Sequence, residues 1–300
     1  MDEPGYIALH RSGELARHAR LARERLAACD LCPRSCGVDR LAGDAGFCGV
    51  ADGAAVASSG PHFGEEAPLV GRRGSGTVFF FGCNLGCAFC QNADISTRPG
   101  DDPLAPAELS AVFLRVQRAG CHNLNLVTPT HVLPQILAAL DLAIGEGLAI
   151  PIVWNCGGYE ALSALALLDG VVDVYMPDLK AMDPGPADAL FAAADYPVVA
   201  KAAILEMRRQ VGDLRLDAAG IARRGLLVRH LVLPGDLSGA AAAVRFLAEE
   251  VSPGTYLNVM DQYRPCHRAI GDPILGAFPE PGLVREAKRL ARAAGLRLDE

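Results

Sequence analysis

The chain has 300 residues, 51% hydrophobic and 21% charged, with a formal net charge of −7. This composition excludes a collagen, a coiled coil and a disordered tail protein. The acidic balance disfavours nucleic acid as a partner. No run of about 18 apolar residues occurs, since Val132 to Trp154 is interrupted by Asp141 and Glu146, so no membrane span is expected. The start, Met1-Asp2-Glu3-Pro4, lacks the apolar stretch of a secretion signal, and the expected location is cytoplasmic. Ten cysteines in such a setting are expected as thiols or metal ligands rather than disulfides.

A first helix is predicted over Ile7 to Ala28. Residues 29 to 75 lose periodicity and become rich in Gly, Pro and Cys. Thr77 to Phe81 reads as a strand. Leu109, Val112, Phe113 and Val116 follow helical spacing, and Gly120 stops that helix. Leu124 to Val127 is a strand, followed by a helical stripe of Leu133, Ile136, Leu137, Leu140 and Ile144. Ile150 to Trp154 and Val171 to Met176 are strands around a helix at Ala161 to Leu168. Leu226 to Leu233 is a strand leading to a helix near Ala240 to Glu249. Tyr256 to Met260 is a strand, and Leu283 to Ala294 a closing helix.

Apolar strands that each lead to a helix predict an α/β fold with a parallel sheet covered on both faces. A doubly wound sheet and a full or partial barrel both fit. In either, ligands sit at the C-terminal strand ends. The unusual residues fall there: Cys83, Thr128 to His131, Asn155 to Gly158, Asp178 to Lys180, and Pro234-Gly235. His62-Phe63-Gly64-Glu65-Glu66 reads as a solvated turn.

Two cysteine groups carry the metal signal. Cys83, Cys87 and Cys90 are spaced C-x3-C-x2-C on a loop leaving a buried strand. Three thiolates suffice for three irons of a [4Fe–4S] cluster, leaving one iron open; the alternative is a zinc knuckle. Cys29, Cys32, Cys36 and Cys48 form C-x2-C-x3-C-x11-C in a Gly- and Pro-rich segment. Four thiolates suit an auxiliary [4Fe–4S] cluster or a structural Zn site equally in type. The organisation expected is a helix and cysteine-rich metal-binding segment over 1–75 and a barrel over 76–300.

The segments GSGTVFFFGCNLGCAFCQN, NLVTPTH, NCGGYE, MPDLK, RHLVLPG and MDQYRPC resemble those of the radical S-adenosylmethionine (SAM) superfamily. The similarity is to its pyruvate formate-lyase activating enzyme-like iron–sulfur proteins. That resemblance implies a partial (β/α)6 TIM-type barrel. It implies an oxidoreductase that reductively cleaves S-adenosyl-L-methionine to a 5′-deoxyadenosyl radical, which abstracts a hydrogen atom. Cys83, Cys87 and Cys90 would ligate the [4Fe–4S] cluster, with Phe89 against the adenine. Thr128 and Thr130 stand where relatives bind the SAM amino group. Asp178 and Lys180 match an Asp-x-Lys motif near SAM, and Arg229 an arginine that reaches it. Asn155 replaces an aspartate that helps hold a monovalent cation. The implied substrate is a glycine of a partner protein, with a peptide, metabolite or RNA as alternatives and flavodoxin or ferredoxin as reductant. A zinc-stabilised binding protein is the non-enzyme alternative.

Overall fold

The computed structural model describes residues 3–299. Nine strands form one open sheet: β1 Val56–His62, β2 Ser75–Phe80, β3 Leu124–Val127, β4 Ile152–Cys156, β5 Val174–Pro177, β6 Arg215–Leu216, β7 Ala222–Leu231, β8 Tyr256–Met260 and β9 Arg297–Leu298. Their order is β1-β2-β3-β4-β5-β7-β8-β9, with β6 beside β7. From β2 to β9 the neighbours on this path are parallel, while β1 and β6 are antiparallel edges. The parallel strands follow one another in chain order with no reversal. The doubly wound arrangement, which needs such a reversal, is therefore not this fold.

The α-helices of seven or more residues are α1 Gly5–Ser12, α2 Glu14–Glu24, α3 Pro106–Arg118, α4 Leu133–Gly145, α5 Pro184–Phe191, α6 Tyr196–Val211, α7 Ala240–Phe246 and α8 Pro281–Ala293. Local chemistry sets their ends. In α3, Pro106 opens the first turn, the Glu108 carboxylate accepts from the Ala105 N–H at 2.8 Å, and Gly120 lies just beyond the end at φ 83°. The single helix expected over Ile7 to Ala28 is instead α1, α2 and a 3-10 turn at Arg25–Ala28. Gly13 sits at φ 77°, which breaks the helical path. In α6, Tyr196, Ala200, Ala203, Ile204, Met207 and Val211 form the buried stripe that covers β5 and β7. Strand β1 shows no alternation because it is an edge carrying Gly60 and Pro61 and is largely open on both faces.

A division at residue 75 would cut at the first residue of β2, where Ser75 pairs with His62 of β1. The N-terminal residues join the main core. Tyr6 donates to the Ile150 carbonyl at 2.7 Å, His10 meets Asp141 at 2.8 Å, and α2 lies along α4. Strand β4 is buried along its whole length, with Trp154 among the largest enclosed side chains. Among the described residues no helix is long and apolar enough to cross a membrane.

Candidate active site and metal centres

The polar residues gather at the C-terminal edge of the parallel strands. Asn155 is the next-to-last residue of β4, Asp178 follows β5, and Arg229 faces Asp178 across a bridge between β5 and β7. Arg229 is the hub. Its Nε donates to Asp178 Oδ1 at 2.6 Å and its Nη2 to Asn155 Oδ1 at 2.7 Å. Its Nη1 stands 3.5 Å from Glu65 Oε2. Lys180 Nζ donates to the other Asp178 oxygen. Tyr196 ties this edge down: its hydroxyl meets the carbonyls of Gly157 and Asp178 at 2.9 and 2.8 Å and accepts the Lys180 N–H at 2.9 Å.

Burial opposes every charge here, and pairing decides the outcome. Burial raises the Asp178 carboxyl, but Arg229 and Lys180 outweigh it and hold the group below its ordinary value. Burial lowers Lys180, yet Asp178 and Cys87 carry it up to about 12. Glu65 is raised, because its burial exceeds the pull of Arg229. Glu65 and Glu66 are thus not in the solvated turn expected for them. Their side chains are enclosed, and Glu66 accepts from Asn258 Nδ2 at 2.9 Å. The reason is β1: it carries the segment back along β2 and delivers Glu65 to Arg229 and Glu66 to Asn258.

The Cys83–Cys90 loop lies over this edge. Leu85 N–H donates to Cys83 Sγ at 3.3 Å. Burial pushes the Cys83 and Cys87 thiols up, Cys87 to about 12, while Lys180 pulls the other way. The N-terminal cysteines form a second group whose sulfurs are electrostatic neighbours. Arg40, fully buried, reaches Cys29 Sγ at 3.7 Å, and Phe47 N–H donates to Cys36 Sγ at 3.4 Å. Gly82, at φ 82°, lets the two groups meet: a Cβ there would lie 2.8 Å from the Cys48 carbonyl. A cavity of about 280 Å³ opens at this junction, lined by Cys48, Cys83, Cys87, Phe47, Phe191 and Arg268, among others. A larger cavity, about 950 Å³, lies at the opposite strand ends around Ile150 and Pro151, away from both cysteine groups.

Among the described residues no three His, Cys, Asp or Glu side chains converge to hold a metal ion. The chemistry of the donor sets nevertheless fits thiolate ligation. Each group concentrates buried or half-buried cysteines, and each turns backbone N–H or guanidinium donors toward sulfur. Such donors stabilise a thiolate, which a metal ion would complete by supplying positive charge.

The remaining expected residues are placed as follows. Phe89 is 5% exposed and sits edge-on between Phe191 and Tyr263, with centroids at 6.1 and 5.8 Å; Phe191, not Phe89, lines the cavity. Thr128 is at φ 56° and donates its N–H to the Asn155 carbonyl at 2.8 Å. The Thr130 hydroxyl donates to Glu160, and Thr130 is not among the residues lining the cavity. His131 bonds the Phe81 carbonyl at 2.7 Å and is buried; burial lowers its pKa to about 4, so it is neutral. Cys121 and Cys156 are buried.

Three residues escaped sequence reasoning. Glu160 is enclosed by Thr130, Cys156 and Trp154, and burial pushes its carboxyl up to about 7. Its signal was a carboxylate closing the Asn-Cys-Gly-Gly-Tyr-Glu segment behind a buried strand. Glu65 had only its neighbour Glu66 as a cue. Arg34 lies inside the first cysteine motif and reaches into the second, a contact no spacing encodes.

No family model matches the chain. It is similar to the "Uncharacterized protein MJ0674" of Methanocaldococcus jannaschii, with 30% identity over 250 residues that cover 80% of this chain and 67% of that protein. Identity at that level over that share of both chains places this protein in the same family as the archaeal one.

Proposed function

We propose that this chain is a radical SAM enzyme built on a partial (β/α)6 barrel, with Cys83, Cys87 and Cys90 as ligands of its [4Fe–4S] cluster. The observation that carries the reading is a juxtaposition. A loop with three half-buried cysteines overlies the Asn155–Arg229–Asp178–Lys180 network at one end of consecutive parallel strands. When bound, the cluster and SAM supply one-electron cleavage of a C–S bond and hydrogen-atom abstraction. The chain's own part is to bind, orient and exclude water. Asp178 holds Lys180 and Arg229 side by side and keeps both charged. Among the described residues Arg229 Nη1 makes only the 3.5 Å ion pair, so it would be a donor open to a ligand carboxylate. Phe47 and Phe191 line the cavity and keep it partly dry.

The N-terminal cysteines would hold a second cluster or a zinc ion. The substrate we favour is a glycine in a protein or peptide. Ile270, Ile274 and Phe278 are 50–71% exposed on the segment that follows the cavity residues His267 and Arg268, which suits a macromolecular surface. Anaerobic reconstitution tests the metal assignment. The wild type should take up about eight irons if both sites hold [4Fe–4S], or about four plus one zinc. Replacing Cys83, Cys87 and Cys90 by Ala should remove about four of the irons by the same count. A triple variant with its full iron content would overturn the assignment.

A further inference from the structure

Arg34 stands between Cys32 and Cys36, yet its side chain leaves that motif. Its guanidinium bonds four backbone carbonyls: Nε to Asn84 at 3.0 Å, Nη2 to Leu85 at 3.0 Å and Phe191 at 2.7 Å, and Nη1 to Ala192 at 2.6 Å. The group stacks over Phe47, 3.8 Å from the ring centroid. Two of those carbonyls belong to the loop between Cys83 and Cys87. The other two end α5, where Ala192 adopts the left-handed conformation at φ 50°. One planar cation thus joins the loop to the end of a helix, whose last carbonyls favour positive charge.

The consequence follows from peptide geometry. In a trans peptide the carbonyl and the N–H point in opposite directions. The peptide joining Asn84 to Leu85 gives its carbonyl to Arg34 and its N–H to Cys83 Sγ, at 3.3 Å. The next peptide gives the Leu85 carbonyl to Arg34, so its Gly86 N–H points the opposite way, to the side on which the Leu85 N–H meets the Cys83 sulfur. By holding the two carbonyls, Arg34 turns both amides to the side of that sulfur. Residues 32 to 36 fix where the guanidinium starts, through the turn in which Ser35 N–H meets the Cys32 carbonyl at 3.0 Å.

We propose that Arg34 is a positioning residue, carried on the N-terminal cysteine motif, that aims the Leu85 and Gly86 amides at Cys83 and so sets the electronic character of that sulfur as a ligand. The effect on a cluster rests on the function proposed above; the aiming of the amides does not. N–H donors to a ligating sulfur spread its negative charge and favour the reduced state. The cysteine motif in the first 50 residues thereby acts on the site that follows β2.

Amide hydrogen exchange in the metal-free chain tests the aiming. In Arg34→Ala, exchange at Leu85 and Gly86 should speed up by about tenfold, the equivalent of about 1.4 kcal/mol. Amides of β3 and β4 should stay as protected as in the wild type. Arg34→Lys should behave like Arg34→Ala, because one ammonium cannot span four carbonyls. Arg20→Ala, which removes an exposed pair with Glu24, should change nothing in the loop. Wild-type exchange at Leu85 and Gly86 in Arg34→Ala, full protection in Arg34→Lys, or loss of protection throughout the chain would each overturn the proposal. In reconstituted protein the midpoint potential of the cluster should become more negative in Arg34→Ala, and an unchanged potential would also overturn it. If the wild type takes up no iron, the proposed function fails, while the exchange comparison still decides the role of Arg34.

Discussion

Replacing Glu160 by Gln should alter how stability depends on pH, and the structure gives the size of the change. Glu160 is enclosed beneath Thr130, Cys156 and Trp154, and burial raises its pKa from 4.5 to about 7. A carboxyl raised in the folded state keeps its proton more tightly there than in the unfolded chain. Below pH 4.5 both states hold the proton and the native state bears no penalty. As pH rises from 4.5 through about 7, the unfolded carboxyl ionises first, and the folded state loses stability by linkage. A difference of roughly 2.5 units at 1.36 kcal/mol each amounts to about 3 kcal/mol. Gln keeps the shape and an acceptor for Thr130 but never ionises. Denaturant unfolding of reduced, metal-free wild type and Glu160→Gln at intervals from pH 4 to pH 8 measures the difference. The two proteins should be close in stability at pH 4, and the variant should gain about 3 kcal/mol on the wild type by pH 8. Parallel stability curves over that range would refute the reasoning, because a group that titrates alike in both states contributes no slope.

Two further substitutions probe the site and its seam. Arg229→Ala should weaken SAM binding, since a buried charged hydrogen bond is worth about 1.5–3 kcal/mol, or roughly tenfold to more than a hundredfold in affinity. Iron content should be retained; calorimetric titration with SAM reads the affinity, and an unchanged value would return Arg229 to a structural role. Gly82→Ala should destabilise the chain by about 1–3 kcal/mol, because overpacking and a left-handed backbone both oppose it. The new Cβ would lie 2.7 Å from Val50, 2.8 Å from the Cys48 carbonyl and 3.0 Å from His131 Nε2. An unchanged unfolding midpoint would show that the two cysteine groups are not packed together at this glycine.

Much of the sheet was legible in the residues. Leu124–Val127 and Tyr256–Met260 are strands at the residues expected, because short apolar runs bounded by Gly, Pro and polar residues leave little freedom. The polar character of the strand ends was also readable: Asn155, Asp178, Lys180 and Arg229 do form one network. Other features depend on tertiary contact. The break at Gly13 interrupts a pattern whose apolar spacing continues past it. Strand β1 owes its existence to pairing with β2 rather than to its own propensity. Glu65 and Glu66 read as loop residues because nothing nearby in the chain tells that Arg229 and Asn258 wait for them. Helix α6 is local in origin: its stripe from Tyr196 to Val211 has ordinary helical spacing. Arg34 is the opposite case, since its partners at Asn84 and Ala192 are brought near only by the fold.

The central claim is that the Cys83, Cys87 and Cys90 loop, together with the Arg229 network, makes a site for reductive cleavage of SAM. The most direct test is to incubate anaerobically reconstituted, chemically reduced protein with SAM and to quantify 5′-deoxyadenosine and methionine by chromatography. The account predicts both products from the wild type, in equal amounts, and neither from the Cys83, Cys87 and Cys90 to Ala variant. Intact iron–sulfur protein that yields no 5′-deoxyadenosine under strong reduction would contradict it.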